Sequence, residues 1–375
     1  MKVGIITYHA SHNIGSMLQS YALQNVFREN YKFDVEFVDY SSEAQRDMYS
    51  IYPKVSNYKG VIKNIISFLF YKKFQQRFEQ FENFKLKYLK LSKKNISNSK
   101  DFHDVYDLIV CGSDQIWNVN CFDYTYFYMG DFSHKAPVIS YAASLGGQNL
   151  LNSKNCFIYK ELLNKFDAIS VREENGSLWL RDICDTDIEI VPDPTILAEF
   201  NIWHDLSNEA DYENKYGDYI FFYGVPFSKK TYSIIQKISK KLNKKVVMID
   251  YKSYLYNFCK FRGFVVHGET SPIDFINLVK HASLVITTSY HGTIFSTIFK
   301  KNFWTLTYKE TNKDDDRITY LLEQLDFRDR MIFMEDYESY DLTADVDYSN
   351  YKETINGLKK VGFSYIDETL KKICV

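Results

Sequence analysis

Short runs of apolar residues, rich in β-branched side chains, alternate along this chain with longer stretches whose apolar residues recur at helical spacing. This alternation predicts an α/β protein in which helices connect parallel strands. In the N-terminal half the predicted strands lie at 2–7, 33–39, 107–111, 137–143, 167–171 and 188–191. In the C-terminal half they lie at 219–223, 245–249, 264–267, 284–288 and 303–307.

The chain is long enough for two domains, since 375 residues exceed what one ordinary core accommodates. The apolar pattern stops between about 199 and 217, where polar residues dominate, and we interpret this stretch as a linker. We therefore predict an N-terminal Rossmann-like domain over 1–200 and a C-terminal one over 217–345. A helical tail at 351–375 could return to the first domain.

A segment near 60–94 interrupts the strand–helix rhythm of the first domain. Phe74, Phe78, Phe81 and Tyr88 recur at helical spacing and predict an amphipathic helix. Between residues 59 and 94 there are ten Lys or Arg and two Glu, so this helix would be strongly basic. It could lie on an anionic membrane surface. The alternative, which we favour, is that its Phe side chains pack on its own domain.

Composition excludes several classes of protein. The net charge of −2 argues against a dedicated nucleic-acid binder, which would carry a basic excess. The six cysteines form no C-x-x-C pair, so reduced thiols in a cytoplasmic protein are expected, with neither a zinc site nor a disulfide framework. The first residues lack the apolar region of a signal peptide. The sequence also contains no stretch of about 18 apolar residues, the length that a helix needs to span a membrane.

The strand at 284–288 leads into a polar turn that we consider the chemical centre of the chain. The turn consists of Ser289, Tyr290, His291 and Gly292, and helical spacing resumes at Thr293. A helix that starts directly after a strand offers unpaired N–H groups and the positive end of its dipole to an anion. A histidine there can transfer a proton to a bound ligand. The structural alternative is a capped helix whose histidine satisfies a buried carbonyl.

Other predicted strands of the first domain also end in polar residues, which is where doubly wound sheets bind ligands. Asn13 and Gly15 open a helix after the first strand, and the strand at 107–111 runs into the sequence GSDQIWN at 112–118. Arg172 follows the strand at 167–171, where it could face a crevice or pair with the adjacent Glu173. The G-x-G-x-x-G fingerprint is missing, so a dinucleotide is not implied.

Taken together, these motifs resemble the polysaccharide pyruvyl transferase family in their order and spacing, over most of the chain. The matching positions are 13–15, 18–23, 38–40, 112–118, 140–144, 170–173, 193–195, 289–293 and Arg317. The resemblance implies two Rossmann-like domains in a glycosyltransferase-B-like arrangement, with Asn13, Asp114, Arg172 and His291 converging on one cleft. It implies phosphoenolpyruvate as donor and a sugar of a surface polysaccharide, or its lipid-linked precursor, as acceptor. No metal or further cofactor is implied.

Ketal formation from an enol phosphate needs a general acid, a base for the sugar hydroxyls and fixed positive charge. His291 fits the acid and Asp114 the base, with Asp193 as the second choice for the base. The candidate substrate-binding residues are Asn13, Gly15, Gly112, Ser113, Gln115, Arg172, Ser289, Gly292, Thr293 and Arg317.

One departure from the family pattern bears on the donor. Better-known members carry Arg-Leu before the His-Gly, where this chain has Ser289 and Tyr290. We therefore expect Arg172 or Arg317 to supply the missing charge, a different mode of donor binding, or a changed activity. A nucleotide-sugar glycosyltransferase and a non-catalytic sugar- or phosphate-binding protein remain alternatives. A soluble enzyme with a lipid-linked acceptor could also sit at the inner face of the plasma membrane.

Overall fold

The computed structural model of the protein describes residues 1–55, 57–207, 215–224, 229–309 and 314–373. The chain divides into two compact units. Unit 1 comprises Met1–Ala198 together with Leu358–Val375, and unit 2 comprises Glu199–Gly357. Each unit is built around a parallel β-sheet.

Unit 1 contains six strands, all paired in parallel. They are β1 (Lys2–Ile6), β2 (Asp34–Phe37), β3 (Leu108–Cys111), β4 (Val138–Ser140), β5 (Ile169–Val171) and β6 (Ile188–Ile190). The first four form a sheet in the order β2-β1-β3-β4, and β5 pairs with β6. Single bridges join Ile139 to Ala168 and Ala143 to Val171, so that β5 follows β4. Every residue of strands β3, β4 and β5 is buried, as expected for a parallel sheet covered by helices.

The helices of unit 1 follow these strands in the manner of a Rossmann-like fold. They are α1 (Ile14–Asn25), α2 (Glu43–Tyr49), α3 (Tyr58–Leu69), α4 (Tyr71–Tyr88), α5 (Cys156–Leu163), α6 (Glu174–Arg181) and α7 (Pro194–Leu197). Helix α1 lies between β1 and β2, and its buried residues include Met17, Leu18 and Leu23. It continues into one π-helical segment, Val26–Asn30.

Unit 2 has a six-stranded parallel sheet. Its strands are β7 (Tyr219–Tyr223), β8 (Lys245–Met248), β9 (Val265–Val266), β10 (Leu284–Thr287), β11 (Phe303–Thr307) and β12 (Met331–Phe333). The order β9-β8-β7-β10-β11-β12 is that of a doubly wound dinucleotide-binding fold. Its helices are α8 (Phe200–Leu206), α9 (Lys229–Leu242), α10 (Tyr251–Tyr256), α11 (Pro272–His281), α12 (Tyr290–Ile298) and α13 (Arg317–Gln324).

The predicted linker is partly helical. Helix α8 occupies its first third, and Trp203 packs edge-on against Phe295 with ring centroids 4.9 Å apart. The sequence pattern did not predict this helix, because only two of its residues, Trp203 and Leu206, are buried and the stretch is otherwise mostly polar. Residues 208–214 of the predicted linker lie outside the described ranges.

The basic segment near 60–94 forms two helices, where the sequence predicted one. On α4 the side chains of Phe74, Phe81 and Phe84 are buried, which is the packing interpretation favoured from the sequence. Helix α3 ends at Leu69 and α4 begins at Tyr71, so the two are separate helices. Within the described ranges, no helix has the length and apolar character needed to cross a bilayer.

The C-terminal helix α14 (Tyr351–Ile373) begins in unit 2, and its residues from Leu358 onward belong to unit 1. The hydroxyl of the buried Tyr365 donates to the carbonyl of Ser140 at 2.7 Å, and Ile366 is fully buried. The Tyr31 hydroxyl donates to Asp367 at 2.8 Å. These contacts attach the second half of the helix to strand β4 and to the end of the segment that follows α1.

Two glycines on α14 give opposite predictions for the same substitution. A Cβ atom at position 362 would lie 2.6 Å from Cδ1 of Leu197 and 2.8 Å from the Tyr141 hydroxyl, and both side chains are buried. At Gly357 a Cβ atom would meet nothing within 4 Å. We expect Gly362→Ala to lower the free energy of unfolding by about 1–2 kcal/mol through overpacking. Gly357→Ala should raise it by about 0.5–1 kcal/mol through helix propensity.

Denaturant unfolding of both variants beside the wild type measures the difference. Equal effects of the two substitutions would contradict the packing of α14 on unit 1.

Candidate functional site

The sheet of unit 1 changes winding direction between β1 and β3. Strand β2 pairs with the far side of β1 and β4 with the far side of β3, so the connections leave in opposite directions. The carboxyl ends of two such strands form the ligand crevice of a doubly wound sheet. At this point the Thr7 hydroxyl donates to the carbonyl of Ser113 at 2.9 Å, which joins the loop after β1 to the loop after β3.

Asn13 caps helix α1. Its backbone is extended, and its side-chain oxygen accepts from the N–H groups of Gly15 at 2.9 Å and Ser16 at 3.3 Å. An Asn at this position satisfies helix donors that would otherwise lack partners. The helix start predicted to hold an anion is thus already capped by Asn13 itself. The roles of Asn13 and Gly15 in substrate binding stay predictions.

Asp114 lies at the end of β3 with a left-handed backbone, at φ 75°. Its carboxylate accepts from the Ser16 hydroxyl on α1 and from the N–H of Gln115 at 2.8 Å. Gly112 before it also has positive φ, at 123°, and a Cβ there would collide with the carbonyl oxygen of Tyr141. The close approach of β4 explains the glycine, because any side chain would push the loop away from the sheet. The Asp114 carboxylate is therefore held against the first turn of α1, where Ser16 donates to it.

Arg172 is almost completely buried, and three carboxylates surround its guanidinium group. Its NH1 donates to Asp193 at 3.0 Å, while NH2 lies 3.7 Å from Asp114 and Nε 3.6 Å from Glu173. A buried charge of this kind is stable only when it is paired with opposite charge. The arrangement favours a positioning role for Arg172 over the direct oxyanion contact predicted from the sequence. The adjacent Glu173, considered there as an alternative partner, is one of the three carboxylates.

Asp193, the second candidate for the base, is fully buried as the N-cap of helix α7. Its side chain accepts from the N–H of Thr195 at 3.0 Å and from the Thr195 hydroxyl at 2.7 Å, in addition to Arg172. Ser113 is also buried, and its hydroxyl donates to the carbonyl of Ala142 at 2.8 Å. Asp193 and Ser113 therefore hold the β3 and β6 ends together.

A further buried carboxylate near Asp114, that of Asp123, was not predicted from the sequence. Asp123 accepts from Nε2 of Gln45 at 3.2 Å. Burial raises the pKa of this carboxyl, and the negative charge of Asp114 raises it further. Nothing in the local sequence pattern distinguishes Asp123 from other loop aspartates. Its hydrogen-bond partner Gln45 lies on α2, a helix that was not predicted from the sequence. Ser16 could have been found, since it lies on the first turn of the helix after a switch-point strand.

In unit 2 the strand-to-helix corner lies at the equivalent switch point, between β10 and β7. Ser289 is the N-cap of α12, and its hydroxyl oxygen accepts from the N–H of Gly292 at 3.3 Å. The helix starts at Tyr290, three residues earlier than the apolar spacing indicated, because the cap residue rather than the apolar pattern sets its beginning. His291 is therefore in the first helical turn. It is buried, with its ring edge-on to Tyr290 at 5.4 Å between centroids.

Gly292 and Thr293 allow this corner to pack tightly. A Cβ at Gly292 would collide with the Thr287 hydroxyl, which donates to the carbonyl of Tyr223 at 2.6 Å. The Thr293 hydroxyl lies 3.1 Å from the carbonyl of Ser289 and 2.8 Å from the Thr305 hydroxyl. Both residues thus secure the helix against β10 and β11. A direct contact of either residue with substrate stays a prediction.

Arg317, the other candidate cation, begins α13. Its Nε and NH2 donate to the two oxygens of Asp315 at 2.6 and 2.5 Å, a bidentate ion pair between near neighbours in the chain. The Arg317 side chain is partly exposed. Unlike Arg172, it is therefore accessible to a ligand that competes with Asp315.

Apart from Arg317, the predicted site residues fall into one group in each unit. Within unit 1 the structure brings together Asp114, Arg172, Asp193, Ser16 and Glu173. The second group, Ser289 to Thr293, lies at one corner of unit 2. The convergence of the two groups on a common cleft stays a prediction. Within the described ranges, no three His, Cys, Asp or Glu side chains are grouped as a metal ion would require.

The raised pKa of Asp123 gives a prediction about stability. A carboxyl whose folded-state pKa lies above its unfolded value binds its proton more tightly when folded. The protein therefore loses stability as the pH rises through the interval between the two pKa values. We expect Asp123→Asn to raise the free energy of unfolding at neutral pH, since Asn keeps an acceptor for Gln45 without the buried charge.

The gain should disappear below the ordinary Asp range, where the wild-type carboxyl is protonated in both states. Denaturant unfolding at several pH values measures it, with the exposed Asp131→Asn as the matched control. A gain that does not depend on pH would contradict the assignment.

Comparison with known proteins identifies the family and the fold. The sequence model described as polysaccharide pyruvyl transferase matches residues 13–310. No curated protein matches the chain in sequence. The fold is similar to that of S. aureus MnaA, solved as a co-structure with UDP, at a TM-score of 0.51 and 10% identity, covering 100% of this chain and 96% of that one.

A putative UDP-N-acetylglucosamine 2-epimerase from Listeria monocytogenes gives a TM-score of 0.50 and 12% identity, covering 97% of this chain and 93% of that one. At these identities the likeness concerns the fold alone, which is of the glycosyltransferase-B type. The α/β class with two Rossmann-like domains is thereby confirmed. The family match covers most of the chain and confirms the resemblance found in the sequence motifs. The chain therefore belongs to the polysaccharide pyruvyl transferase family.

Proposed function

We propose that this protein transfers the pyruvyl group of phosphoenolpyruvate to a sugar of a surface polysaccharide or of its lipid-linked precursor. The product is a cyclic ketal, and inorganic phosphate is released. The observation that carries the proposal is the family match over residues 13–310, which includes the buried His291 in the first turn of α12.

The reaction balances without an oxidant or a further cofactor. A proton adds to the methylene carbon of the enol phosphate, which becomes the methyl group and leaves an oxocarbenium-like centre at the neighbouring carbon. One sugar hydroxyl attacks this centre, the carbon–oxygen bond to phosphate breaks, and a second hydroxyl closes the ring. The two hydroxyls lose two protons, so that one proton ends on the methyl group and the other leaves with phosphate.

His291 is the proposed general acid. It is held in the first turn of α12, where Ser289 caps the helix and Gly292 allows close packing on β10. A side chain fixed in this way loses little freedom when the donor binds. A helix start also suits a bound phosphate or carboxylate.

Asp114 is the proposed base for the attacking hydroxyl. Asp193 fits this role less well, because it is 0% exposed and already accepts from Thr195 and Arg172, whereas Asp114 is 7% exposed. The Ser16 hydroxyl and the N–H of Gln115 orient the Asp114 carboxylate. The guanidinium group of Arg172 lies 3.7 Å from this carboxylate on the protein side.

The positive charge for the donor is assigned to Arg317 and to the start of α12. This assignment follows from the burial of Arg172 among carboxylates and from the Ser289 and Tyr290 that replace the usual Arg-Leu. Arg317 would exchange its pairing with Asp315 for a bidentate contact with the donor.

Binding and turnover measured separately test the proposal. We expect saturable binding of phosphoenolpyruvate and none of UDP-N-acetylglucosamine, together with phosphate release when glycan acceptors of the native organism are added. Binding of the UDP-sugar instead would favour a glycosyltransferase. Binding of phosphoenolpyruvate with no phosphate release from any acceptor would favour a non-catalytic binding protein.

His291→Asn should lower kcat by roughly a hundred- to ten-thousand-fold, because Asn cannot protonate carbon. Binding of phosphoenolpyruvate should remain, since Ser289 still caps α12 and Gly292 still packs against Thr287. The matched control is His204→Asn, which changes an exposed histidine of the same unit. Near-normal turnover of His291→Asn would remove this residue from the chemistry.

A further inference from the structure

Helix α3 presents its apolar residues outward and its small polar residues inward. Ser67 is buried, and Asn64 is half-buried with its side-chain amide donating to the carbonyl of Pro53 at 3.1 Å. At 100° per residue, the apolar side chains form one continuous stripe on the opposite face. We call this stripe the α3 face, which consists of Tyr58, Val61, Ile62, Ile65, Phe68 and Leu69.

The exposure of the α3 face is large for such residues. Tyr58 is 70% exposed, Phe68 72%, Leu69 68%, Ile65 54% and Ile62 51%. A surface helix normally turns its apolar stripe towards the core. Contiguous apolar surface of this kind marks a binding site for another molecule or a membrane.

The segment that carries the α3 face has basic residues and no acidic ones of its own, and Lys54 at its start pairs with Glu43. Residues 48–78 contain six Lys or Arg and no Asp or Glu, although the whole chain has a net charge of −2. Lys63 on α3 and both Lys72 and Lys73 at the start of α4 are exposed. Three exposed lysines thus lie on or next to the helix that carries the exposed apolar residues.

We propose that the α3 face docks on the surface of an anionic lipid bilayer. An amphipathic helix with apolar residues on one side and lysines beside them lies in the interface, with the apolar side chains in the boundary between headgroups and acyl chains. The neighbouring lysines gain from the negative potential of the lipid headgroups. The contact is peripheral, because α3 has only 12 residues.

A second copy of the chain fits this surface less well. A two-fold contact would place each α3 face on its equivalent and bring the surrounding lysines of both copies together. With no acidic residue between positions 48 and 78 to offset them, these like charges would repel. Anionic headgroups instead complement them.

The contact surface differs from the one that the sequence suggested. Phe74, Phe81 and Phe84 of α4 are buried, and two of the lysines near its C-terminal end are paired within the protein. Lys85 lies 2.6 Å from Glu82, and Lys90 pairs with Asp34. Helix α4 therefore attaches the segment to unit 1, and α3 carries the exposed apolar residues.

Co-sedimentation with vesicles tests the proposal on the full chain. We expect binding to vesicles of phosphatidylcholine with phosphatidylglycerol, no binding to phosphatidylcholine alone, and release by high salt. Neutralising three lysines in Lys63→Gln/Lys72→Gln/Lys73→Gln should weaken binding roughly a hundredfold. The matched control is Lys360→Gln/Lys371→Gln/Lys372→Gln, which removes three exposed charges elsewhere in unit 1.

The apolar contribution is tested by Phe68→Ser/Leu69→Ser, which should abolish sedimentation without loss of fold. Its control is Phe157→Ser/Leu178→Ser, since these residues of unit 1 are 79% and 51% exposed. Equal sedimentation of the Phe68→Ser/Leu69→Ser variant and the wild type would overturn the proposal. So would a failure of the wild type to bind anionic vesicles at low salt, or a dimer that the same variant converts to monomers. None of these results bears on the chemistry proposed above, which phosphate release measures separately.

Discussion

The burial of one guanidinium group among three carboxylates is the constraint on which the site in unit 1 depends. Arg172 lies within 4 Å of Asp114, Glu173 and Asp193, which come from the ends of three different strands. Removing any of these charges from water is costly, and only their mutual pairing with hydrogen bonds to the remaining oxygens offsets that cost. The Glu173 carboxylate accepts from the N–H of Leu145, and Asp193 accepts from Thr195. The cluster thus fixes where the Asp114 carboxylate lies.

In both units a helix starts after a parallel strand and forms a polar corner there. In unit 1 the cap is Asn13 and the group held nearby is Asp114, through Ser16. In unit 2 the cap is Ser289, and His291 follows it in the first turn. In both sheets the corner is at the point where the winding direction reverses, which leaves space for a ligand at the strand ends. Both corners lie within the residues 13–310 that the family model matches.

Local patterns predicted the regular elements well and the contacts between them poorly. Strands β7 and β11 and helix α11 begin and end where apolar spacing and Pro272 indicated. The bond from Ser16 to Asp114 joins residues 98 positions apart, and no local pattern contains it. Apolar spacing also shows that a helix has a stripe, but not whether the stripe faces the core. That is why the phenylalanines of α4 and the outward stripe of α3 could not be told apart from the sequence.

The role of Arg172 is tested by measuring the unfolding of Arg172→Gln and of Arg172→Gln/Asp193→Asn, together with the binding of phosphoenolpyruvate to each. If Arg172 holds the buried carboxylates, Arg172→Gln loses about 3–5 kcal/mol of stability at neutral pH, because it leaves them without a counter-charge. The deficit narrows towards acid pH, and Asp193→Asn in the same chain restores part of it. A variant that unfolds like the wild type but no longer binds phosphoenolpyruvate would contradict the account, since Arg172 would then contact the donor.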